Sequence, residues 1–148
     1  SLIKMVDELS EDEAMVLVGL TRQQVDVLPK GVLGITRTDS VQELAEIYSA
    51  ADVFVNPTLE DNFPTTNLES LACGTPVITF DTGGSVEAVD KDTGAVVRKG
   101  DVSGLLDEVR RFRERDKVFT EKACVGRSRK LYDKKARFAD YVDLYSSV

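Results

Sequence analysis

Histidine is absent from all 148 residues, and with it goes a large part of enzyme chemistry. No Ser–His or Cys–His nucleophilic machinery can be assembled within this chain, and no His-based metal site. Cysteine is nearly absent. Cys73 and Cys124 are the only two, too few for a disulfide framework or a metal cluster. Positive charge is in the minority, with 19 Lys and Arg against 26 Asp and Glu and a formal charge of −7. That balance argues against non-specific binding of nucleic acid or anionic membrane by this piece, and it serves solubility. No apolar run approaches the roughly 18–20 residues of a membrane span, and no signal-peptide pattern is visible. A reducing, cytoplasmic setting is the default expectation. Hydrophobic content of 42% and charged content of 30% are those of a soluble globular protein. The length suits one domain with a real core. No Met opens the chain and its first residues already read as helix, so a piece of something longer is expected.

Short apolar runs alternate with amphipathic stretches along the chain. Leu2, Ile3, Met5, Val6 and Leu9 read as a helix ending near Ser10-Glu11-Asp12. Ala14-Met15-Val16-Leu17-Val18 reads as a buried parallel strand, too continuous for a half-exposed one. Thr21 opens a short helix closed by Pro29-Lys30-Gly31, and Val32-Leu33-Gly34-Ile35 is the next strand. Ser40-Val41-Gln42-Glu43 has the form of a capping box. It starts a helix with Val41, Leu44, Ala45 and Tyr48 on one face. Gly94-Ala95-Val96-Val97 is a last strand, and Asp101 caps a helix lined by Val102, Leu105, Leu106, Val109 and Phe112. The basic residues opposite, Arg110, Arg111 and Arg113, are interspersed with acids and read as a solvated face. From Thr120 onward the pattern stays helical, with Phe138, Tyr141 or Val142, and Tyr145 forming a core stripe. The expected architecture is one α/β domain over 1–148, a parallel sheet covered by helices on both faces.

The most informative stretch is 56–84. The apolar run Val53-Phe54-Val55 stops at Asn56-Pro57, and an acidic loop follows. A short helix begins near Pro64 and ends at Cys73-Gly74, with Pro76 just beyond. Val77-Ile78-Thr79-Phe80 then leads to Asp81-Thr82-Gly83-Gly84. This is a βαβ unit whose two loops fall at the carboxyl ends of parallel strands, where ligands bind in open α/β sheets.

Here the chain resembles a family. The spacing D-N-F-P-T-T-N-L-E-S-L-A-C-G-T-P-V-I is similar to the donor-site signature of the retaining GT-B glycosyltransferases of the family 4 (group 1) type. Asp61 and Glu69 hold the two acidic positions, Phe63 the aromatic one, and Gly74-Thr75-Pro76-Val77 the tail; Gly83-Gly84 and Glu87 also match. The family usually has Glu where Asp61 stands and Gly where Pro64 stands. Glu60 competes with Asp61 for the first acidic position.

The resemblance implies a Rossmann-like domain, the C-terminal, donor-binding half of a two-domain enzyme. It implies metal-independent, retaining transfer of a sugar from a nucleoside diphosphate to an acceptor hydroxyl, in cell-surface polysaccharide or glycolipid synthesis. The amino-terminal acceptor domain and a phosphate-binding Arg and Lys fall outside this chain. The piece alone is therefore expected to be inactive, and any membrane contact would belong to the missing part. Thr65, Thr66 and Asn67 stand at a helix N-terminus suited to a diphosphate. Glu69, one turn in, can accept both ribose hydroxyls, and Asp61 can stabilise positive charge at the anomeric carbon. Ile35 and Thr36 are beside the base in the family, and are equally readable as a strand end. Glu69 has a local alternative too, since Thr66-Asn67-Leu68-Glu69 has a capping-box form. A non-catalytic Rossmann-like nucleotide-binding or protein-interaction module is the rival reading of the whole chain. A dinucleotide dehydrogenase is disfavoured because no G-x-G-x-x-G follows the first strand.

Overall fold

The computed structural model describes residues 2–60 and 64–132. Asp61 and Phe63 lie outside the described residues, as do Phe138, Tyr141, Val142 and Tyr145. Helices and strands alternate as α1 (Leu2–Asp7), β1 (Met15–Val18), α2 (Arg22–Asp26), β2 (Val32–Ile35), α3 (Val41–Ala50) and β3 (Phe54–Asn56). There follow α4 (Thr65–Ala72), β4 (Val77–Phe80), a 3-10 turn (Gly83–Ala88), β5 (Gly94–Val97), α5 (Val102–Arg113) and α6 (Lys117–Tyr132). Every strand pairing is parallel.

The strands form two ladders rather than the single sheet expected. β1 pairs with β2, while β3, β4 and β5 pair in that order. Packing joins what hydrogen bonding does not. Met15 of β1 lies with Val53, Val55 and Ala95 against a core of Met5, Ile78, Phe80, Val97, Val102, Leu105, Leu106 and Phe112. Burying each such large side chain is worth about 1.5–3 kcal/mol. A second cluster joins Leu71, Val77, Ala88, Val89 and Cys124, with Phe54 and Leu68 at its margin.

β4 is buried along its whole length, but β1 is not. The register sets Val16 beside Leu33, and these are 46% and 60% exposed. Leu17 and Phe54, expected in the core, are half-buried. Four apolar residues in a row therefore do not mean two covered faces; β1 alternates, with one face turned to the core and one open.

The helix ends also correct the local reading. α1 stops at Asp7, several residues before Ser10. The complete capping box is at α2, where the Thr21 side chain accepts from the Gln24 amide and Gln24 accepts in return from the Thr21 amide. At α3 Ser40 caps the Glu43 amide at 3.1 Å, but Glu43 Oε2 reaches past it to the Asp39 amide at 2.6 Å. Val41 is 85% exposed, so the buried face of α3 rests on Tyr48 with Leu44 and Ala45 half-buried.

Asp101 caps α5 as expected, its Oδ1 accepting from the Gly104 amide at 2.9 Å. The arginines opposite the core face are not simply solvated. Arg110 donates to Glu13 Oε1 at 3.1 Å and to the Glu8 carbonyl at 2.9 Å, and Arg113 lies 3.3 Å from Asp12. They attach α5 to the segment entering β1. The Arg110 guanidinium, with the Ser10 amide, holds the Glu13 carboxyl down at about 2. On α6, Arg127 donates to the carbonyls of Ala88 (2.7 Å) and Glu87 (3.0 Å) and pairs with Asp90 at 2.8 Å. One side chain thus fixes the end of the 3-10 turn.

Candidate functional site

β3 and β4 end side by side, and the polar residues there tie the following loops together. Asn56 is level with Thr79, and the Thr79 hydroxyl donates to the Asn56 carbonyl at 3.1 Å. The Thr82 hydroxyl donates to the Thr58 carbonyl at 3.3 Å, bridging the loop after β3 to the segment after β4. The 3-10 turn starts at Gly83, whose φ of +45° suits glycine. Gly84 behind it is buried.

α4 rises from this end of the strands. Its N-cap is Pro64, in extended backbone, with no side-chain cap among the described residues. Thr65 and Thr66 are exposed in its first turn. Amides of a first turn lack intrahelical acceptors, and the helix dipole adds partial positive charge there. Asn67 is fully buried, and its Oδ1 accepts from Asn56 Nδ2 at 2.9 Å, locking the helix to the end of β3. Among the described residues its Nδ2 has no partner, and neither does the buried Ser85 hydroxyl.

The capping-box alternative for Glu69 is not realised. With Pro64 as N-cap, Thr66 is the second residue of α4 and Glu69 the fifth. Glu69 instead accepts from the Tyr48 hydroxyl, at 3.3 Å from its Oε2. The Cβ of a helical residue tilts towards the N-terminus, so Glu69 leans to the open end of α4. Tyr48 is held on three sides. Its ring meets the Phe54 ring edge-on at 5.3 Å and 78°. Its carbonyl accepts from the Thr75 hydroxyl at 2.6 Å. Burial, and then the negative charge of Glu69, push its ionisation well above the ordinary range. The Cys73 thiol is likewise raised, by burial and then by Glu69, so it is no activated nucleophile.

The far end of α4 is closed. The Gly74 amide donates to the Leu71 carbonyl and the Thr75 amide to the Ser70 carbonyl, both at 3.0 Å, with Gly74 at φ +85°. This is a Schellman ending. A cavity of about 40 Å³ beside Asp52, Gly74, Thr75 and Arg113 lies at this end. So does a wider groove of about 550 Å³ lined by Cys73, Glu121, Lys122 and Arg129. Both open near the start of β4, away from the first turn of α4.

Ile35 and Thr36 end β2, in the other ladder. The Ile35 carbonyl accepts from the Gly19 amide at 2.9 Å and the Leu20 amide at 3.3 Å, and Thr36 is exposed. Among the described residues no hydrogen bond joins them to α4, whereas Thr65, Thr66, Asn67 and Glu69 share that one helix. Tyr48 and Asn56 had not been singled out as site residues. Tyr48 lies 21 positions from Glu69 and reads locally as core, but a polar Asn56 ending an apolar strand was a usable signal. No group of three or more His, Cys, Asp and Glu is placed to hold a metal ion among the described residues. No described helix is long and apolar enough to cross a membrane.

Residues 1–115 match the family described as "Glycosyl transferases group 1". The chain belongs to that family. Within the group, it is 35% identical over 101 residues to D-inositol 3-phosphate glycosyltransferase of Rhodococcus erythropolis, covering 62% of this chain and 23% of the relative. It is 35% identical over 91 residues to alpha-maltose-1-phosphate synthase of Mycobacterium tuberculosis, covering 61% and 22%. The chain thus spans less than a quarter of either relative. Sucrose-phosphate synthase from Thermosynechococcus elongatus superposes with a TM-score of 0.80 at 25% identity, over 99% of this chain and 41% of the other. Anabaena HepE, solved in complex with UDP-glucose, gives 0.76 at 18% identity, over 99% and 44%. The Rossmann-like α/β fold is the one found in the GT-B glycosyltransferases.

Proposed function

We propose that this group 1 glycosyl transferase chain is a donor-binding unit that holds a nucleoside diphosphate sugar for retaining transfer to an acceptor hydroxyl. The observation that carries the reading is the N-terminus of α4, without a side-chain cap among the described residues, at the carboxyl ends of β3 and β4, with the Glu69 carboxylate one turn in. The first-turn amides of Thr65 and Thr66 take the diphosphate, as helix N-termini take anions. Asn67 keeps that terminus in place through Asn56. Glu69 accepts the ribose diol, the Ile35-Thr36 strand end lies beside the base, Phe63 belongs to the donor-binding set, and Asp61 stabilises positive charge growing at the anomeric carbon. No metal is required, because helix amides, with an Arg and a Lys that lie before the β1 strand and outside this chain, stabilise the leaving phosphate. Residues 1–148 form one domain of a two-domain enzyme, the acceptor side lying in the other, so this piece alone transfers no sugar. Holding both substrates in reacting geometry is worth roughly 7–11 kcal/mol, and one half supplies only part of it. Cell-surface polysaccharide or glycolipid synthesis on the cytoplasmic side is the proposed setting.

The test is calorimetric titration of the chain with UDP, GDP and ADP. Removing a charged acceptor from a bound hydroxyl costs about 1.5–3 kcal/mol, tenfold or more in affinity. Glu69→Gln and Glu69→Ala are both expected to weaken the nucleotide that binds best, with stability nearly unchanged in Glu69→Gln. Parent-like binding by Glu69→Gln would remove Glu69 from the site.

A further inference from the structure

We infer that Tyr48 is a positioning residue for donor recognition, its buried hydroxyl holding the Glu69 carboxylate in the orientation that meets the ribose diol. The inference rests on the donor-binding reading above and adds a group from another helix, α3, outside the loop and helix that touch the nucleotide.

Glu69 stands on the exposed side of α4, where a glutamate samples several rotamers and loses that freedom when a ligand fixes it. Among the described residues the one hydrogen bond accepted by its carboxylate comes from the Tyr48 hydroxyl. Tyr48 can orient it because Tyr48 is itself immobilised. It is 8% exposed, its ring is wedged on Phe54, and its backbone is bonded by Thr75. The chemistry of the pair suits the task. A phenol donates one hydrogen bond, whereas an ionised carboxylate offers about four lone-pair positions. Tyr48 therefore occupies one position on Oε2 and leaves Oε1 and the rest of Oε2 for two ribose hydroxyls. Because Tyr48 stays protonated, it remains a donor and brings no competing charge. An arginine or lysine in its place would neutralise the acceptor that the diol needs. The bland alternative is a tie between α3 and α4 with no bearing on ligand, and binding measurements separate the two.

Tyr48→Phe removes the hydroxyl while keeping the ring, the Phe54 contact and the Thr75 bond. Titrated with UDP, GDP and ADP, it is expected to bind the preferred nucleotide about 3–10-fold more weakly than the parent, with a melting temperature close to the parent's. Combined with Glu69→Gln it should add little, because the two groups act as a unit. Glu69→Asp, which keeps the charge but draws it out of reach of Tyr48, should lose affinity to a similar extent as Tyr48→Phe. Parent-like binding by Tyr48→Phe or Glu69→Asp, or fully additive losses in the double variant, would overturn the positioning role. If Glu69→Gln alone still weakens binding, the donor reading survives that result. If Glu69→Gln binds like the parent, the donor reading falls and the role of Tyr48 falls with it.

Discussion

β1 is apolar throughout, Met-Val-Leu-Val, and β4 includes a threonine, Val-Ile-Thr-Phe, yet every residue of β4 is buried while Val16 and Val18 on β1 are 46% and 41% exposed. β4 is the middle strand of its ladder and has α4 and α5 against it. β1 shares a two-stranded ladder with β2 and reaches the main core chiefly through Met15. Burial is a property of what surrounds a strand, and here the less apolar run is the more buried one. The polar residues of the candidate site are attached to the buried ladder, where Asn56, Thr79 and Thr82 are fixed by hydrogen bonds. Rigidity beneath and open amides above is the arrangement that binding demands.

Matched substitutions sharpen this contrast. Ile78→Ala in β4 should cost about 2–5 kcal/mol, the range for emptying a tight core position. Leu33→Ala in β2 should stay within about 0.5 kcal/mol, as exposed positions do. Urea denaturation of both variants reads the difference, and equal losses would break the comparison. A glycine in each ladder offers a second pair. A Cβ added at Gly94 of β5 would run into the Val77 carbonyl oxygen, a backbone atom that cannot step aside. At Gly34 of β2 it would meet Leu28 Cδ1 at 2.5 Å and Val25 Cγ2 at 2.9 Å, ends of movable side chains. Gly94→Ala is therefore expected to cost about 3 kcal/mol and Gly34→Ala about 1 kcal/mol, by the same denaturation assay.

A third test concerns the joint between the two ladders. Glu13 precedes β1 and Arg110 belongs to α5, so their ion pair attaches one ladder's entry to the other ladder's helix. The folded carboxyl sits at about 2 instead of 4.5. Its contribution is thus complete above pH 4.5 and is lost as pH falls towards 2. Arg110 is 38% exposed, which screens the pair. Glu13→Gln should accordingly cost about 1–2 kcal/mol at pH 7, with the gap to the parent narrowing below about pH 4. A gap that does not change between pH 7 and pH 3 would contradict the pairing.

Much of the architecture was legible because local chemistry dictates it. β2, β4 and β5 fall where their apolar runs predict, and α4 closes at Cys73-Gly74 because glycine there adopts the left-handed turn. The group of residues on α4 could be read from the spacing of Pro64, Glu69 and Gly74. What escaped was set by distant partners. Nothing near Ser10–Glu13 announces Arg110, about a hundred residues away, and nothing near Glu69 announces Tyr48. The split of the strands into two ladders was hidden for the same reason, since each run looks alike until its neighbours are known.

The Schellman ending of α4 has a consequence for tolerance of change. The helix is clamped from its C-terminal side, by Gly74, Thr75 and the Ser70 hydroxyl bonded to the Thr75 carbonyl at 3.0 Å. The angular phase of Glu69 about the helix axis is therefore counted backwards from Gly74, not forwards from Pro64. Residues added to or removed from the loop before Pro64 leave that phase untouched. One residue inserted between Glu69 and Gly74 would turn the carboxylate by about 100° at 3.6 residues per turn, away from Tyr48 and out of register with the open amides. The five positions from Glu69 to Cys73 thus behave as a ruler for the carboxylate.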